Sequence, residues 1–206
     1  MKKIILSLGL LFSLSTVFSQ SFMQGAGVAF FGVAPSSTLS GLLINESLTY
    51  SPRFNFFEAG KVSVSVGIPL SLGISEGTHD ATYFNGYTNS THTNTYFGLF
   101  INAPVYFNFN FGRGATKHNT NKFGFFAGAG YGFYTATYAT DNNGSGVVTD
   151  DNSGTSTGLA LDAGVRLGVG RKHVKRPKNI EIRMTYMNGS SDLIKSLYGL
   201  GCSFNF

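Results

Sequence analysis

Tryptophan is absent and cysteine occurs once, at Cys202. A single thiol excludes an intramolecular disulfide framework, and with no Cys-x-x-Cys pair or Cys/His cluster there is no structural zinc site. Charge is also scarce. Asp, Glu, Lys and Arg make up 12% of the chain, about half of the ~25% usual in soluble domains. Beside 15% aromatic residues and 27 glycines, that scarcity excludes a disordered tail protein and a body with a well-solvated outer surface. Long apolar runs are missing too. Beyond residue 20 no stretch approaches the roughly 18 apolar residues of a membrane-spanning helix.

What is present begins with an address. Residues 1–19 read MKKIILSLGLLFSLSTVFS: Lys2 and Lys3 form a positive start, and Ile4 to Phe12 an apolar core too short to cross a bilayer. Val17 and Ser19 give a small-residue spacing for cleavage before Gln20. A secretory signal over 1–19 and one exported domain over 20–206 are expected. Of the 206 residues the remaining 187 suit one closed barrel of about eight strands, at roughly 23 residues per strand and connection. Without the two leader lysines the 15 basic residues exceed the ten acidic ones by only three, which gives no argument for a nucleic-acid partner.

Hydropathy alternates with period two. From Lys61 to Ile74 the even positions are Val62, Val64, Val66, Ile68, Leu70, Leu72 and Ile74, while the odd ones are Lys, Ser, Gly or Pro. Tyr96 to Phe111 and residues 159–169 repeat the pattern, so each is a strand with one apolar face. Further strands are expected at about 22–33, 43–57, 122–138, 179–187 and 193–206. Eight is an even number, as single-chain membrane barrels require. The polar face carries mainly Ser, Gly, Asn and Thr, which suits a narrow packed lumen better than a solvated exterior. The large apolar side chains then point outward into lipid, where closure of the sheet removes both edge and exposure.

With both termini on the periplasmic side, the outer connections are 34–42, 76–95, 139–156 and 188–192, and the inner ones 58–60, 112–121 and 171–178. The outer set includes the two longest and the inner set the shortest, as in such barrels. Charge divides in the same way. Lys61, Arg113, Lys117, Lys122, Arg171, Lys172, Lys175, Arg176 and Lys178 stand at the inner turns, and Glu76, Asp80, Asp141, Asp150, Asp151 and Asp192 at the outer loops. Aromatic residues collect near the inner strand ends (Phe54, Phe56, Phe107, Phe109, Phe111, Phe123, Phe125, Phe204 and Phe206), with Tyr186 and Tyr198 nearer the outer ends, as interfacial girdles.

The chain ends GLGCSFNF, in which Gly201, Phe204 and Phe206 keep a Gly-x-x-hydrophobic-x-aromatic order. Together with PRFNF (Pro52 to Phe56), SVSVGIPLSLGIS and KFGFFAGAGYGFY, this resembles the small Bacteroidota-type outer-membrane β-barrel proteins, with an OmpA- and OmpX-like eight-stranded barrel domain. The resemblance covers nearly all of 20–206; Gly199 departs from the polar residue usual at the start of the terminal motif. It implies an outer-membrane location and a terminal strand read by the barrel insertion machinery through Gly201, Phe204 and Phe206. It implies no particular activity, because the shared residues are structural.

Residues that could carry chemistry are few. His79, Asp80, Ser90 and His92 share one outer connection, but a flexible loop does not hold a base and nucleophile within hydrogen-bond reach, so they read as solvated loop polars. Asp141, Asn143, Ser145 and Gly146 match positions 1, 3, 5 and 6 of a calcium loop, yet Asn152 stands where a bidentate Glu is needed. GRGATK (Gly112 to Lys117) lacks the spacing of a phosphate-binding loop. The charges on the polar strand faces say more. Arg53, Asp162, Arg166, Glu181, Arg183 and Lys195 would lie in the lumen, where unpaired charge is costly, so an ion-paired network is expected. Turn length sets Arg166 opposite Glu181, with Asp162 near Arg183.

The sequence thus points to an all-β, eight-stranded antiparallel up-and-down transmembrane barrel that meets partners with its outer loops and is not an enzyme. No cofactor or metal is expected. The partners expected are outer-membrane lipids, lipopolysaccharide and the insertion machinery, with the protein a monomer. The alternatives are a narrow transport or channel protein using the charged lumen, and a lipid-modifying outer-membrane enzyme.

Overall fold

The structure is a computed structural model that describes residues 21–35, 43–84, 89–141, 148–169, 178–191 and 194–206. The leader lies outside these. The β segments, in chain order, are β1 (Ser21–Met23), β2 (Gly25–Pro35), β3 (Leu43–Tyr50), β4 (Arg53–Ala59), β5 (Val62–Gly67), β6 (Leu70–Phe84), β7 (Asn89–Asn102), β8 (Val105–Gly112), β9 (Phe123–Asp141), β10 (Val148–Gly168), β11 (Asn179–Gly189) and β12 (Ile194–Asn205). The first eight join in consecutive pairs into four long strands, because the register continues across each gap: Met23 faces Arg53 and Ala26 faces Tyr50, while Gly67 faces Tyr106 and Ser71 faces Asn102. Eight antiparallel strands result, and β12 closes the sheet on β2.

Three of the four gaps contain a proline: Pro52, Pro69 and Pro104. Proline has no N–H for the ladder, so these residues split the segments without shifting them. By register Pro69 and Pro104 stand opposite each other. Ile68 N–H donates to Pro52 O and Ala103 N–H to Phe133 O, so the two prolines turn the positions of their missing donors toward one another.

Register partners also fix the shape. From Ser21 they run through Asn55, Ser65, Asn108, Gly128, Asp162, Thr185 and Gly199 to Phe31, returning to the first strand ten residues further on. A stagger of that size over eight strands corresponds to a tilt of about 40° and an interior that side chains fill. Outward positions are apolar. On β9 they are Phe123, Phe125, Ala127, Ala129, Tyr131 and Phe133, giving way to Thr135 and Thr137. At about 3.3 Å per residue and that tilt, the apolar stretch spans roughly 25 Å, the height of a membrane barrel's outer belt. Leu48, Phe123 and Leu159 are each at least 70% exposed on it.

The strands reach further than the loops expected over 76–95 and 139–156. β6 and β7 stay paired up to Phe84 and Asn89, β9 and β10 up to Asp141 and Val148, and β7 pairs with β9 as far as Thr95 and Asp141. The polar composition suggests loops, but Thr and Tyr recur through these segments, and β-branched and aromatic residues favour a ladder. From Ile74 to Phe84 the sheet continues about 25 Å beyond the belt. Asn143, Ser145 and Gly146 of the calcium-like loop lie outside the described residues, as do Arg171, Lys172, Lys175, Arg176 and Asp192.

Candidate functional site

The lumen is where charge, burial and hydrogen bonding converge. Arg166 of β10 lies directly opposite Glu181 of β11, the register expected from the turn between them. Arg166 Nε donates to Glu181 Oε2 at 2.6 Å and Arg183 Nη2 to Oε1 at 2.7 Å, while Arg183 Nη1 stands 3.1 Å from Asp162 Oδ2. Asn108 Nδ2 donates to that same Asp162 oxygen at 2.9 Å. Arg166 Nη1 and Arg53 Nη1 both donate to Asn110 Oδ1, at 2.8 and 3.2 Å. The Arg166 and Arg183 guanidinium carbons stand 4.2 and 5.0 Å from the centre of the Phe126 ring, whose face is attractive to cations. Arg166 is fully buried, and Arg53, Asp162 and Glu181 nearly so.

Five of the six expected lumen charges therefore meet in one layer. Lys195 does not. The register slips by one residue between Ile194 and Ser196 where β12 pairs with β2, and this bulge turns Ile194 inward and Lys195 out to an exposed position. At the other end of β12 the terminal-motif residues Gly201, half-buried, and Phe204, exposed, sit in regular strand, and exposed Phe206 follows just past its end with its ring 6.4 Å from that of Phe204.

Two further parts of the lumen are not evident in the sequence. Residues after β8 fold back into the barrel mouth as a plug: Arg53 Nη2 donates to Gly114 O at 2.7 Å, Asn55 Nδ2 to Ala115 O at 2.8 Å, and Ala115 is fully buried. Arg113 bonds Lys178 O at 2.6 Å, tying the plug to the start of β11. Gly112 and Gly114 carry φ of 73° and 71°, a conformation that favours glycine. Gly114 also presses on Arg166, whose Cδ would lie 2.8 Å from a Cβ placed there. The one signal in the sequence is the Gly-Arg-Gly spelling, which by spacing reads only as a failed phosphate loop.

The second part is apolar. Toward the long hairpins Ala29, Phe31, Val33, Phe100, Tyr134, Ala136, Ala160, Met187, Ile194 and Leu197 form a buried cluster inside the barrel. Phe100 meets Phe31 edge-on at 5.7 Å and stacks on Tyr134 at 5.5 Å, and Asn45 Nδ2 donates to Tyr134 Oη at 2.8 Å. The inward face, expected to be mainly Ser, Gly, Asn and Thr with isolated charges, thus resolves into two tiers, one ionic and one apolar. Between them lies a cavity of about 30 Å³ bordered by Pro69, Pro104, Asn102 and Arg183, and beside the ionic tier one of about 10 Å³. Each has room for very few water molecules.

Among the described residues no group of three or more His, Cys, Asp or Glu could hold a metal ion. His79 and His92 fall on β6 and β7, where their register partners are Asn94 and Ala81 rather than each other. Cys202 is a free, exposed thiol on the outward face.

No protein-family model matches the chain, and none of the curated proteins matches it either. Among solved structures it is similar to Ail, the attachment invasion locus protein of Yersinia pestis, in complex with the heparin analogue sucrose octasulfate. The two are 15% identical over 92% of this chain and 99% of that one, with a TM-score of 0.52. The fold is that of an eight-stranded outer-membrane β-barrel. Neisserial surface protein A is 14% identical over 91% of this chain and 96% of that one, with a TM-score of 0.48. OprG from Pseudomonas aeruginosa is 14% identical over 92% and 96%, with a TM-score of 0.45.

Proposed function

We propose that the protein is an integral outer-membrane barrel with a structural or surface-interaction role, without catalysis and without conduction. The observation that carries this reading is the pairing of a lumen occupied at three levels, by plug, ion pairs and apolar cluster, with a sheet that continues well beyond the apolar belt. A barrel filled in this way is a pedestal, and the material it raises is β6, β7, β9 and β10. Export follows from the leader at 1–19, insertion from the terminal strand with Gly201, Phe204 and Phe206, and lipid and lipopolysaccharide surround a monomer.

The raised hairpins carry Glu76, Asp80, Asp141, Asp150 and Asp151, whereas the basic residues gather at the opposite turns. A sulfated polyanion of the kind bound to Ail is therefore not the partner this chemistry favours; a cationic or neutral protein surface is. Protease added to intact cells should cut within 85–88 or 142–147 and spare 170–177, and the purified barrel should add no conductance to a planar bilayer. Cleavage confined to 170–177 would invert the orientation. A steady conductance would replace this reading with that of a channel, and altered lipid A or phospholipid on expression would replace it with that of an enzyme.

A further inference from the structure

The ionic tier holds three arginines, Arg53, Arg166 and Arg183, against two carboxylates, Asp162 and Glu181. Both carboxylates are engaged by the other two arginines: Glu181 accepts from Arg166, Arg183 and Asn205, and Asp162 is paired with Arg183 and accepts from Asn108. Among the described residues Arg53 hydrogen-bonds only neutral acceptors, namely Asn110 Oδ1, Gly114 O and Met23 Sδ. Glu58 at the nearby turn accepts from Asn55 and Ser21 instead. One positive charge is thus buried, at 7% exposure, with no carboxylate among its hydrogen-bond partners in the described residues. A guanidinium in that state is costly unless an anion accompanies it.

The wall beside Arg53 provides a place for one. The cavity of about 10 Å³ is bounded by Met23, Gln24, Ser51, Arg53, Glu181, Arg183 and Asn205, beside Pro52, which has no N–H to give the ladder. Among the described residues Arg53 Nε has no hydrogen-bond partner. Ser51 Oγ accepts a 3.5 Å bond from Arg183 Nη2, which leaves its own hydroxyl hydrogen to donate. The Glu181 oxygens on the same side are already saturated by arginine and asparagine donors. We infer that this cavity binds one monovalent anion of halide size, held by Arg53 Nε and the Ser51 hydroxyl, as the counter-ion of the ionic tier. The space is about that of one water molecule, which favours a halide over phosphate or sulfate. Such a site would serve the barrel whatever its role at the cell surface.

The test is unfolding of the purified full barrel at constant ionic strength, with chloride replaced by gluconate. Above the dissociation constant, each tenfold rise in chloride should raise the folded-to-unfolded ratio up to tenfold. In Arg53→Met that dependence should vanish. Crystals grown in bromide should show one anomalous peak beside Arg53 Nε, a readout that stands even if Arg53→Met does not refold. No chloride dependence in the unsubstituted protein, or only a water molecule at the cavity in bromide crystals, would overturn the inference.

Discussion

Replacing Glu181 by Gln keeps the side chain's shape and removes its charge, and the lumen geometry sets the cost. Glu181 is the shared acceptor of two arginines, through contacts of 2.6 and 2.7 Å, and its side chain is 3% exposed. Without its charge, Arg166, Arg183 and Arg53 would be left around Asp162 alone, and removal of one member of a buried ion pair costs about 3 to 5 kcal/mol. The same contacts at a hydrated surface would be worth about 0 to 1 kcal/mol. Because the chain has no tryptophan, the convenient assay is urea unfolding in detergent or vesicles, monitored by the band shift between folded and unfolded barrel on unheated gels. A Glu181→Gln, Arg166→Met double substitution should cost less than the two single costs combined, since it removes the stranded charge together with its partner. A loss below about 1 kcal/mol for Glu181→Gln would refute a dry ionic tier. Additive costs in the double variant would refute the pairing itself.

Three other outcomes are expected. Gly114→Ala should destabilise the barrel by about 1 to 2 kcal/mol in the same assay, the cost of a Cβ at φ near 71°, with contact on Arg166 adding to it; an unchanged midpoint would show that the plug does not seat on the ionic tier. Phe100→Ala, which empties the space between Phe31 and Tyr134, should cost about 3 to 5 kcal/mol, and a loss under about 1 kcal/mol would mean that the apolar tier is loosely packed. Cys202 should react with a membrane-permeant maleimide and resist an impermeant one in lipid vesicles, because it faces outward on the belt; rapid labelling by the impermeant reagent would displace β12 from the bilayer.

Most of the wall is legible in the sequence because alternation has a fixed period. Lys61 to Ile74 and Tyr96 to Phe111 both appear as strands, and the turn length places Arg166 against Glu181 as the register shows. What alternation does not encode is a change of phase. One extra residue near Ile194 sends Lys195 to the outside, and no local feature of IKSLYG marks the bulge. Nor does a polar face announce the few large apolar residues set among its small ones. Phe31, Phe100, Tyr134 and Leu197 each stand on the inward face of a different strand, and only closure of the barrel brings them together. The plug is hidden for a related reason: its contacts to Arg53 and Asn55 use backbone carbonyls, which carry no residue signature.

The facing prolines matter most before there is a barrel. An unfolded chain bearing long runs of alternating Val, Ile, Leu and Phe is a template for intermolecular cross-β stacking, and Lys61 to Ile74 and Tyr96 to Phe111 are such runs. Pro69 and Pro104 sit within them and deny any incoming strand an uninterrupted row of donors. Stacked copies would meet this gap at every layer. In the closed barrel the two gaps fall against each other, so one wall position absorbs both losses. The arrangement lets the finished sheet tolerate the interruptions that protect the chain while it is still without a membrane.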